Sequence, residues 1–569
     1  MDTLVSTPVP AAEDGAEALV ARLLDSLSVR DKAAQLVMPW LPGNYAAFDD
    51  ETFARVQRWV DSLHVGAVLI SVGSPLDVAV KLNDLQRRSR LPLLVAADLE
   101  AGTSIRLNGG TPFPSNMGVG AAGGERDAYD MGRITAIEAR AVGIHLAFAP
   151  VADVNGNPAN PIINTRSFGE DPRAVGRLVA AQVRGMQDYG LFATVKHFPG
   201  HGDTETDSHL TMPSIAADWP RLDSIEMVPF RAAVDAGVTA VMSAHIALPA
   251  LDGGRIRPAT LVPAILTGIL RDSLHFRGLI ATDALNMAGL GGAAGAAESS
   301  VLAFLAGADL FVQPTDPAIV IDAIARSVAS GRISAERLDS SVSRVLLLKA
   351  RLGLYARRTV PLDSIPIAVG RAASLATARD IAARALVLVK DSAGTVDRLR
   401  RGGQRIGYVS YVEDIPWSAG TTLPTELRTR GFPVTAFRLY PNSGPASYDS
   451  ARATLQRGQV AIIAASVRAA AWRGTITMPD SLAALITRSA AARPTVLVSL
   501  GSPYLINQTP SVGSYLLAWA GNAVTERAVA DALAGQAPIT GRLPISLPPA
   551  FPLGFGLQRP PACPGSPRC

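Results

Sequence analysis

Cysteine is almost absent from this chain of 569 residues: there are two, Cys563 and Cys569, both in a Pro-rich C-terminal tail. So few cysteines exclude a disulfide framework and a cysteine-ligated metal site. No apolar run approaches the roughly 18 residues that a membrane helix needs, so no membrane span is predicted. The first eight residues carry neither the basic nor the apolar region of an export signal. A cytoplasmic location is the default expectation, or an exported or periplasmic one if an upstream signal was removed or missed.

An excess of charge of one sign is lacking as well. The formal net charge is +4, which is small for this length, and the arginines are dispersed. Nucleic acid is therefore not an expected partner. Apolar residues make up 48% of the chain, as in a well-packed globular protein, and the length exceeds what one hydrophobic core fills. Two or three domains are expected, and the oligomeric state stays open.

The first part of the chain alternates short apolar runs with helix-like segments. The runs are rich in Val, Leu, Ile and Ala without strict alternation, which is typical of parallel strands buried on both faces. Eight such runs predict an α/β fold of the (β/α)8 TIM-barrel type. They are Ala34–Pro39, Val65–Ser71, Leu93–Asp98, Leu146–Val151, Ala193–His197, Ala240–His245, Leu279–Asp283 and Ala308–Pro314.

A second alternation predicts a smaller, open α/β sandwich domain. Its six runs are Ala385–Val389, Arg405–Tyr411, Val434–Leu439, Val460–Ser466, Thr495–Leu500 and Tyr515–Trp519. The predicted organisation is a flexible N-terminus over 1–25, a catalytic barrel over 26–354, a linker over 355–375, the sandwich over 376–558 and a disordered tail over 559–569.

Polar side chains stand at the carboxyl ends of five predicted strands, where a parallel barrel has its mouth. These are Asp98, Asp153, Lys196 with His197, His245, and Asp283. The alternative, that each is an unrelated polar loop residue, would have to hold independently at all five strands. The sequence therefore predicts that these residues converge on one active site.

Asp283 could act as a nucleophile or stabilise a developing positive charge, although a helix N-cap is the simpler interpretation of this residue alone. Asp207 precedes His209 by two residues, so its carboxylate can orient the imidazole for general acid/base work. A loop salt bridge without catalytic role is the alternative for this pair.

Histidine is scarce, with seven in the chain, yet three of them fall within 196–209. His197 and His201 have zinc-ligand spacing, and Asp203, Asp207 and His209 could complete a metal site. Pro199 and Gly200 separate the two histidines, however, and prevent them from sharing a helix face. Catalysis without metal or cofactor is favoured over a metal-dependent hydrolase, and His201 keeps no assigned role.

Several of these residues suit a polyol, because carboxylates accept from adjacent hydroxyls while Arg and Lys donate to them. They are Asp98, Arg106, Arg166, Lys196 and His197. Together with a carboxylate nucleophile and a proton shuttle, this set predicts glycoside hydrolysis with retention. A carbohydrate-binding protein on a disabled barrel is disfavoured, since Asp283, Asp207 and His209 are all present.

With these motifs together, the sequence resembles glycoside hydrolase family 3, and within it the two-domain β-N-acetylglucosaminidases of the NagZ type. The segment Lys196–Gly202, Lys-His-Phe-Pro-Gly-His-Gly, is highly specific. One departure is Ala101, where the family usually has a glycine. The matching segments span nearly the whole barrel: 98–102 with Arg106, 164–169, 196–202, 207–209, 242–245 and 282–287.

The resemblance implies a role for each matched residue. Asp283 matches the nucleophile, His209 the general acid/base and Asp207 its partner. The residues that match the sugar-binding positions are Asp98, Arg106, Arg166, Lys196, His197 and His245. The expected activity is exo-acting release of N-acetylglucosamine from peptidoglycan fragments or related glycosides. A phosphorylase or a β-glucosidase of the same family is the alternative.

Overall fold

A computed structural model describes residues 13–47, 50–208, 212–287, 290, 292–413, 418–470 and 473–562. The chain forms two compact units, and each unit combines three segments that are not consecutive in sequence. The first gathers residues 1–111, 128–154 and 176–371, and the second gathers 112–127, 155–175 and 372–569. No helix in the described ranges is both long and apolar enough to cross a membrane.

The first unit contains a closed barrel of parallel strands. Seven strands pair in chain order, an isolated bridge joins Ala281 to Leu310, and Val37 pairs with Phe311 to complete the ring. Since Val37–Leu41 is one short segment interrupted at Pro39, eight strand segments close the barrel. The strands are Val37–Met38 (β1), Trp40–Leu41 (β2), Ala67–Ile70 (β3), Leu94–Ala97 (β4), Leu146–Ala147 (β5), Phe192–Phe198 (β6), Ala240–Ser243 (β7), Leu279–Ala281 (β8) and Phe311–Val312 (β9).

Helices follow the strands, and the sequence explains where several begin. Ser28, Asp50, Ser74, Asp218, Asp316 and Ser334 are N-caps whose side chains accept from a backbone N–H of the first turn. A π-helical segment covers Ala264–Ser273. The α-helices are Glu13–Ser26, Val29–Ala34, Glu51–Leu63, Pro75–Arg88, Glu125–Ala141, Pro172–Gln187, Trp219–Ser224, Met227–Asp235, Gly292–Ala306, Pro317–Ala329, Ala335–Arg351 and Ile365–Ala368.

The predicted barrel is confirmed, and each of its eight predicted apolar runs contains a strand. The strands are nearly completely buried, as expected when a barrel interior lies on one face and helices on the other. Because all strands run parallel, their carboxyl ends meet at one mouth.

The second unit has a six-stranded mixed sheet, which confirms the predicted second α/β domain. The strand order is β10-β15-β14-β13-β11-β12, with β10 antiparallel to β15 and the other pairs parallel. The strands are Val387–Asp391 (β10), Ile406–Val412 (β11), Val434–Leu439 (β12), Val460–Ser466 (β13), Thr495–Ser499 (β14) and Ser514–Leu517 (β15). The helices include Asn116–Ala122, Ala372–Ala385, Thr395–Leu399, Thr422–Thr429, Pro445–Gln456, Asp480–Ala492 and Ala523–Leu533.

The core of the second unit draws on residues from early in the chain. Met117 and Ala121 belong to the same buried cluster as Trp519 and Leu543. Asn522 Nδ2 donates to the Phe113 carbonyl over 2.8 Å. Residues 112–127 are thus built into the folded second unit.

Candidate active site

Most of the predicted site residues lie at carboxyl ends of barrel strands in the first unit. Asp98 follows β4, and Lys196 and His197 lie near the carboxyl end of β6. His245 follows β7, and Asp283 follows β8. The Lys196–His197 and Phe198–Pro199 peptide bonds are cis. Parallel closure of the barrel therefore brings residues that are far apart in sequence to one mouth.

A charged network surrounds Asp98. Lys196 Nζ lies 2.9 Å from Asp98 Oδ1 and 2.8 Å from Glu100 Oε1, and Arg106 Nη2 lies 3.2 Å from Asp98 Oδ2. Burial by itself would raise the pKa of the Asp98 carboxyl, but Lys196 and Arg106 outweigh it and lower this pKa to about 2. Asp98 is therefore an ionised hydrogen-bond acceptor held between two cations.

Asp283 lies in a polar setting that favours its ionised form. Its Oδ1 accepts from the Ala284 N–H over 2.7 Å, and its own N–H donates to the Ser243 carbonyl over 3.1 Å. Burial opposes ionisation, yet attraction to His197 and His245, then the Ala284 N–H and Lys196, hold the pKa of Asp283 below its usual range. A carboxylate in that state can act as a nucleophile at neutral pH.

His245 is fixed from both sides of its ring. Nδ1 lies 2.9 Å from Thr260 Oγ1, and Nε2 lies 3.2 Å from the carbonyl oxygen of Ala284, the residue after Asp283. Thr260 Oγ1 also donates to the Ala244 carbonyl over 3.1 Å. His245 therefore connects the end of β7 to the turn that follows β8.

A buried carboxylate, Asp153, joins the end of β6 to the loop after it. Asp153 Oδ2 lies 2.7 Å from His197 Nδ1, and Oδ1 accepts from the His201 N–H over 2.7 Å. Burial would raise the pKa of Asp153, but His197 and His201 hold it below its usual range. Since Asp153 contacts Nδ1 of His197, it fixes the orientation of that ring.

The loop 199–208 packs closely on its surroundings at two glycines. Gly200 has φ +123°, and a Cβ there would lie 2.6 Å from Glu226 Cγ. A Cβ on Gly202 would overlap the Val154 carbonyl. Gly202 is thus required by the close approach of the Val154 backbone, and Gly200 by its positive φ together with the packed Glu226 side chain.

A second set of ion pairs, formed by Arg221, involves the same loop. Arg221 Nη1 lies 2.9 Å from Glu226 Oε1, and Arg221 Nη2 lies 3.3 Å from Asp203 Oδ2. Glu226 is 3% exposed, and its burial raises its pKa despite the arginine. Arg221 therefore bridges a buried carboxylate and the exposed part of the loop.

The segment carrying Arg106 is fastened by a fully buried carboxylate, Glu138. Its oxygens accept from the hydroxyl of Thr103, from both the N–H and the hydroxyl of Thr111, and from the Gly370 N–H. Four donors to one carboxylate make this anchor costly to disturb, because each would lose its partner in a dry site.

Three further predicted site residues are Arg166, Asp207 and His209. Arg166 lies in a 3-10 turn of the second unit, where its Nη1 donates to the Ile162 carbonyl over 2.9 Å and its own carbonyl accepts from Asn116 Nδ2 over 2.7 Å. Asp207 is buried, with 1% exposed, and His209 lies outside the described residues. Their proposed roles remain predictions.

Glu100 and His201 shape the site although the sequence assigned them no role, and Asp153 was predicted to lie at the barrel mouth without an assigned contact. Asp153 did carry a signal, since it follows a strand as the other site residues do. Glu100 sits two residues after Asp98, and its ion pair with Lys196 could not be deduced from that spacing. In the described part of the chain, no group of three His, Cys, Asp or Glu side chains is arranged to hold a metal ion.

Two family models match the chain. The Glycosyl hydrolase family 3 N terminal domain covers residues 28–348, and the Glycosyl hydrolase family 3 C-terminal domain covers residues 282–553. The first contains every barrel strand, and the second contains the six-stranded sheet.

Curated relatives carry hexosaminidase names. A beta-N-acetylglucosaminidase/beta-glucosidase from Cellulomonas fimi is 31% identical over 506 residues, which is 85% of this chain and 88% of that protein. Beta-hexosaminidase LpqI from Mycobacterium bovis is 32% identical, with 61% of this chain and 88% of that protein covered.

Solved structures resemble most of the chain. A family 3 beta-N-acetylglucosaminidase from Paenibacillus has a TM-score of 0.81 at 32% identity and covers 92% of this chain and 99% of that chain. The beta-glucoside phosphorylase BglX has a TM-score of 0.84 at 27% identity and covers 94% and 96%, respectively.

The charge network predicts how acid affects stability. The folded Asp98 carboxyl has a pKa of about 2, whereas an unfolded aspartate has a pKa of about 3.9. The unfolded chain therefore takes up a proton first, and the free energy of unfolding falls as pH drops from about 5 towards about 2. Replacing Asp98 with Asn should make the free energy of unfolding fall less steeply with acid, by at most about 2.6 kcal/mol, in urea unfolding at several pH values. Asp363→Asn, at an exposed position, is the control, and equal pH dependence of Asp98→Asn and the native protein would contradict the assignment.

Proposed function

This chain belongs to glycosyl hydrolase family 3 and is a glycoside hydrolase, and we propose that it is an exo-acting, retaining β-N-acetylglucosaminidase. The single observation that supports the mechanism is the Asp283 carboxylate at the end of β8. Attraction to His197, His245 and Lys196 lowers its pKa and so favours its ionised form. An anion at the end of a barrel strand, among donors that suit sugar hydroxyls, fits a glycosidase nucleophile.

In the proposed first step, an Asp283 oxygen attacks the anomeric carbon and the glycosidic C–O bond breaks. The leaving oxygen takes a proton from His209, which Asp207 orients. In the second step, water gives a proton back to His209 and attacks the anomeric carbon, releasing Asp283. Two inversions retain the β configuration.

The proposed sugar site uses the Asp98 network. Asp98, ionised between Lys196 and Arg106, can accept from adjacent hydroxyls while both cations donate to the same sugar. His197, oriented by Asp153, adds a further polar contact. His245 and Arg166 complete the proposed binding set.

The relatives' names and the Asp-x-His pair support N-acetylglucosaminides as substrates. The Cellulomonas protein is named a beta-N-acetylglucosaminidase/beta-glucosidase, and the Paenibacillus protein is named a beta-N-acetylglucosaminidase. Peptidoglycan fragments with N-acetylglucosamine at the non-reducing end are the proposed natural substrates. A screen of aryl N-acetylglucosaminide, glucoside and xyloside would test the sugar preference.

Replacing Asp283 with Ala should lower kcat for a chromogenic N-acetylglucosaminide by at least about 10,000-fold, because no covalent intermediate can form. The native protein, treated with a fluorinated N-acetylglucosaminyl donor that slows the second step, should gain the sugar's mass on the peptide containing Asp283. Near-native turnover by the variant, or label on another peptide, would refute the assignment.

Replacing His209 with Ala should depend on the leaving group. We expect kcat/KM for a phenyl N-acetylglucosaminide to fall about 100- to 10,000-fold, and that for a dinitrophenyl analogue far less, because only a basic leaving oxygen needs a proton. Equal losses for both substrates would contradict a role in protonation.

Phosphorolysis is the second candidate, because the similar BglX structure is a beta-glucoside phosphorylase. A neutral imidazole at position 209 would repel an approaching phosphate less than a carboxylate would. We expect free N-acetylglucosamine as the main product in buffers with and without phosphate. N-acetylglucosamine 1-phosphate as the main product would replace hydrolysis by phosphorolysis, with Asp283 in the same role.

A further inference from the structure

His201 is a buried histidine whose ring lies inside the loop that leads to Asp207. The residue is 2% exposed. Its Nδ1 lies 2.7 Å from Thr204 Oγ1, and its Nε2 lies 3.0 Å from Ser208 Oγ. Between these two contacts the chain passes through exposed Glu205 and Thr206. The imidazole therefore connects the outgoing and returning arms of the loop.

The hydrogen bonds indicate which ring nitrogen carries the proton. Thr204 Oγ1 donates its single proton to the His201 carbonyl over 3.1 Å. It therefore accepts from Nδ1–H of the ring, while Nε2 pairs with the Ser208 hydroxyl, which can donate or accept. An imidazole is well suited here, because one flat ring presents a hydrogen-bonding nitrogen on each of two edges.

The ring itself is held by the strand end beneath it. The His201 N–H donates to Asp153 Oδ1, and the other oxygen of Asp153 contacts the His197 ring. Close packing of Gly202 on the Val154 carbonyl fixes the chain on the other side of His201. The His201 ring thus extends from a fixed backbone, whereas Ser208, which it contacts, follows the exposed residues Glu205 and Thr206.

We propose that His201 is the positioning residue of this loop: through Ser208 it sets the backbone of the segment that presents Asp207. This inference rests on the proposed acid/base function of Asp207 and His209, between which Ser208 lies in sequence. His201 itself needs no contact with the substrate. A displacement of about 1 Å in a proton-transfer group can cost about 100-fold in rate.

The test compares two variants and their combination. His201→Phe keeps a ring of similar size without its hydrogen bonds, and Ser208→Ala removes only the hydroxyl. We expect kcat/KM for the phenyl N-acetylglucosaminide to fall about 10- to 100-fold in His201→Phe and less in Ser208→Ala. The dinitrophenyl analogue, which needs no proton, should lose less than about threefold, and KM should change little for either substrate.

The double variant separates action through Ser208 from independent damage. If His201 acts through Ser208, His201→Phe with Ser208→Ala should be no slower than His201→Phe alone, because the second change removes an interaction already lost. His201→Gln, whose amide can donate and accept, should recover part of the rate. Thermal melting of each variant checks that the fold is intact.

Two comparators make the outcome decisive. Thr206→Ala changes an exposed residue of the same loop and should match the native protein on both substrates. If His209→Ala shows no leaving-group dependence, the proposed function fails. Suppose instead that His209→Ala does show the leaving-group dependence. The positioning role of His201 is then overturned if His201→Phe and Ser208→Ala each slow both substrates equally, or if their losses add in the double variant. Should His201→Phe fail to fold, Ser208→Ala decides: an equal loss on both substrates overturns the role.

Discussion

The interaction on which the site depends is the buried carboxylate of Asp153. One of its oxygens contacts the His197 ring at the end of β6, and the other accepts from the backbone of His201 in the following loop. Removing one hydrogen-bond partner from a buried carboxylate costs several kcal/mol of stability. The folded protein is therefore expected to keep both contacts of Asp153 at the same time. The orientation of a proposed sugar-binding residue and the start of the proposed acid/base loop are therefore set by a single group.

Charge balance explains how so many ionisable groups share one barrel mouth. Lys196 lies between Asp98 and Glu100, and Arg106 contacts the far side of Asp98. Burial raises the pKa of an isolated carboxyl. These cations instead lower the pKa of Asp98, and the imidazoles of His197 and His245 lower the pKa of Asp283. Asp98 and Asp283 are thus held in their ionised form. In the proposed mechanism the leaving group therefore takes its proton from a different residue, and the proposed histidine acid avoids the repulsion that a further carboxylate would add.

Local sequence was sufficient to predict the strands and the residues at their ends, because apolar runs and barrel closure follow from general rules. It could not predict the partners. Asp153 contacts residues 44 and 48 positions away, and Glu138 collects donors from the segment 103–111 and from Gly370, 232 positions away. Such contacts depend on how helices pack around the barrel, which periodicity does not encode. His201 remained without a role for the same reason: its hydrogen bonds to Thr204 and Ser208 exist only once the loop has folded back on itself.

Arg166 is a proposed sugar-binding residue that lies in the second unit. The segment 155–175 that carries it is part of the second unit, where Asn155 Nδ2 donates to Tyr504 Oη over 2.8 Å and Ser546 donates through both its N–H and its hydroxyl to Glu170. The turn at Arg166 is further fixed by Asn116. Without residues 372–562, this segment would lose Tyr504 and Ser546 and the buried surface around them. The C-terminal domain is therefore needed to hold a proposed sugar-binding arginine in a defined conformation, even though its own sheet carries no group assigned to the chemistry.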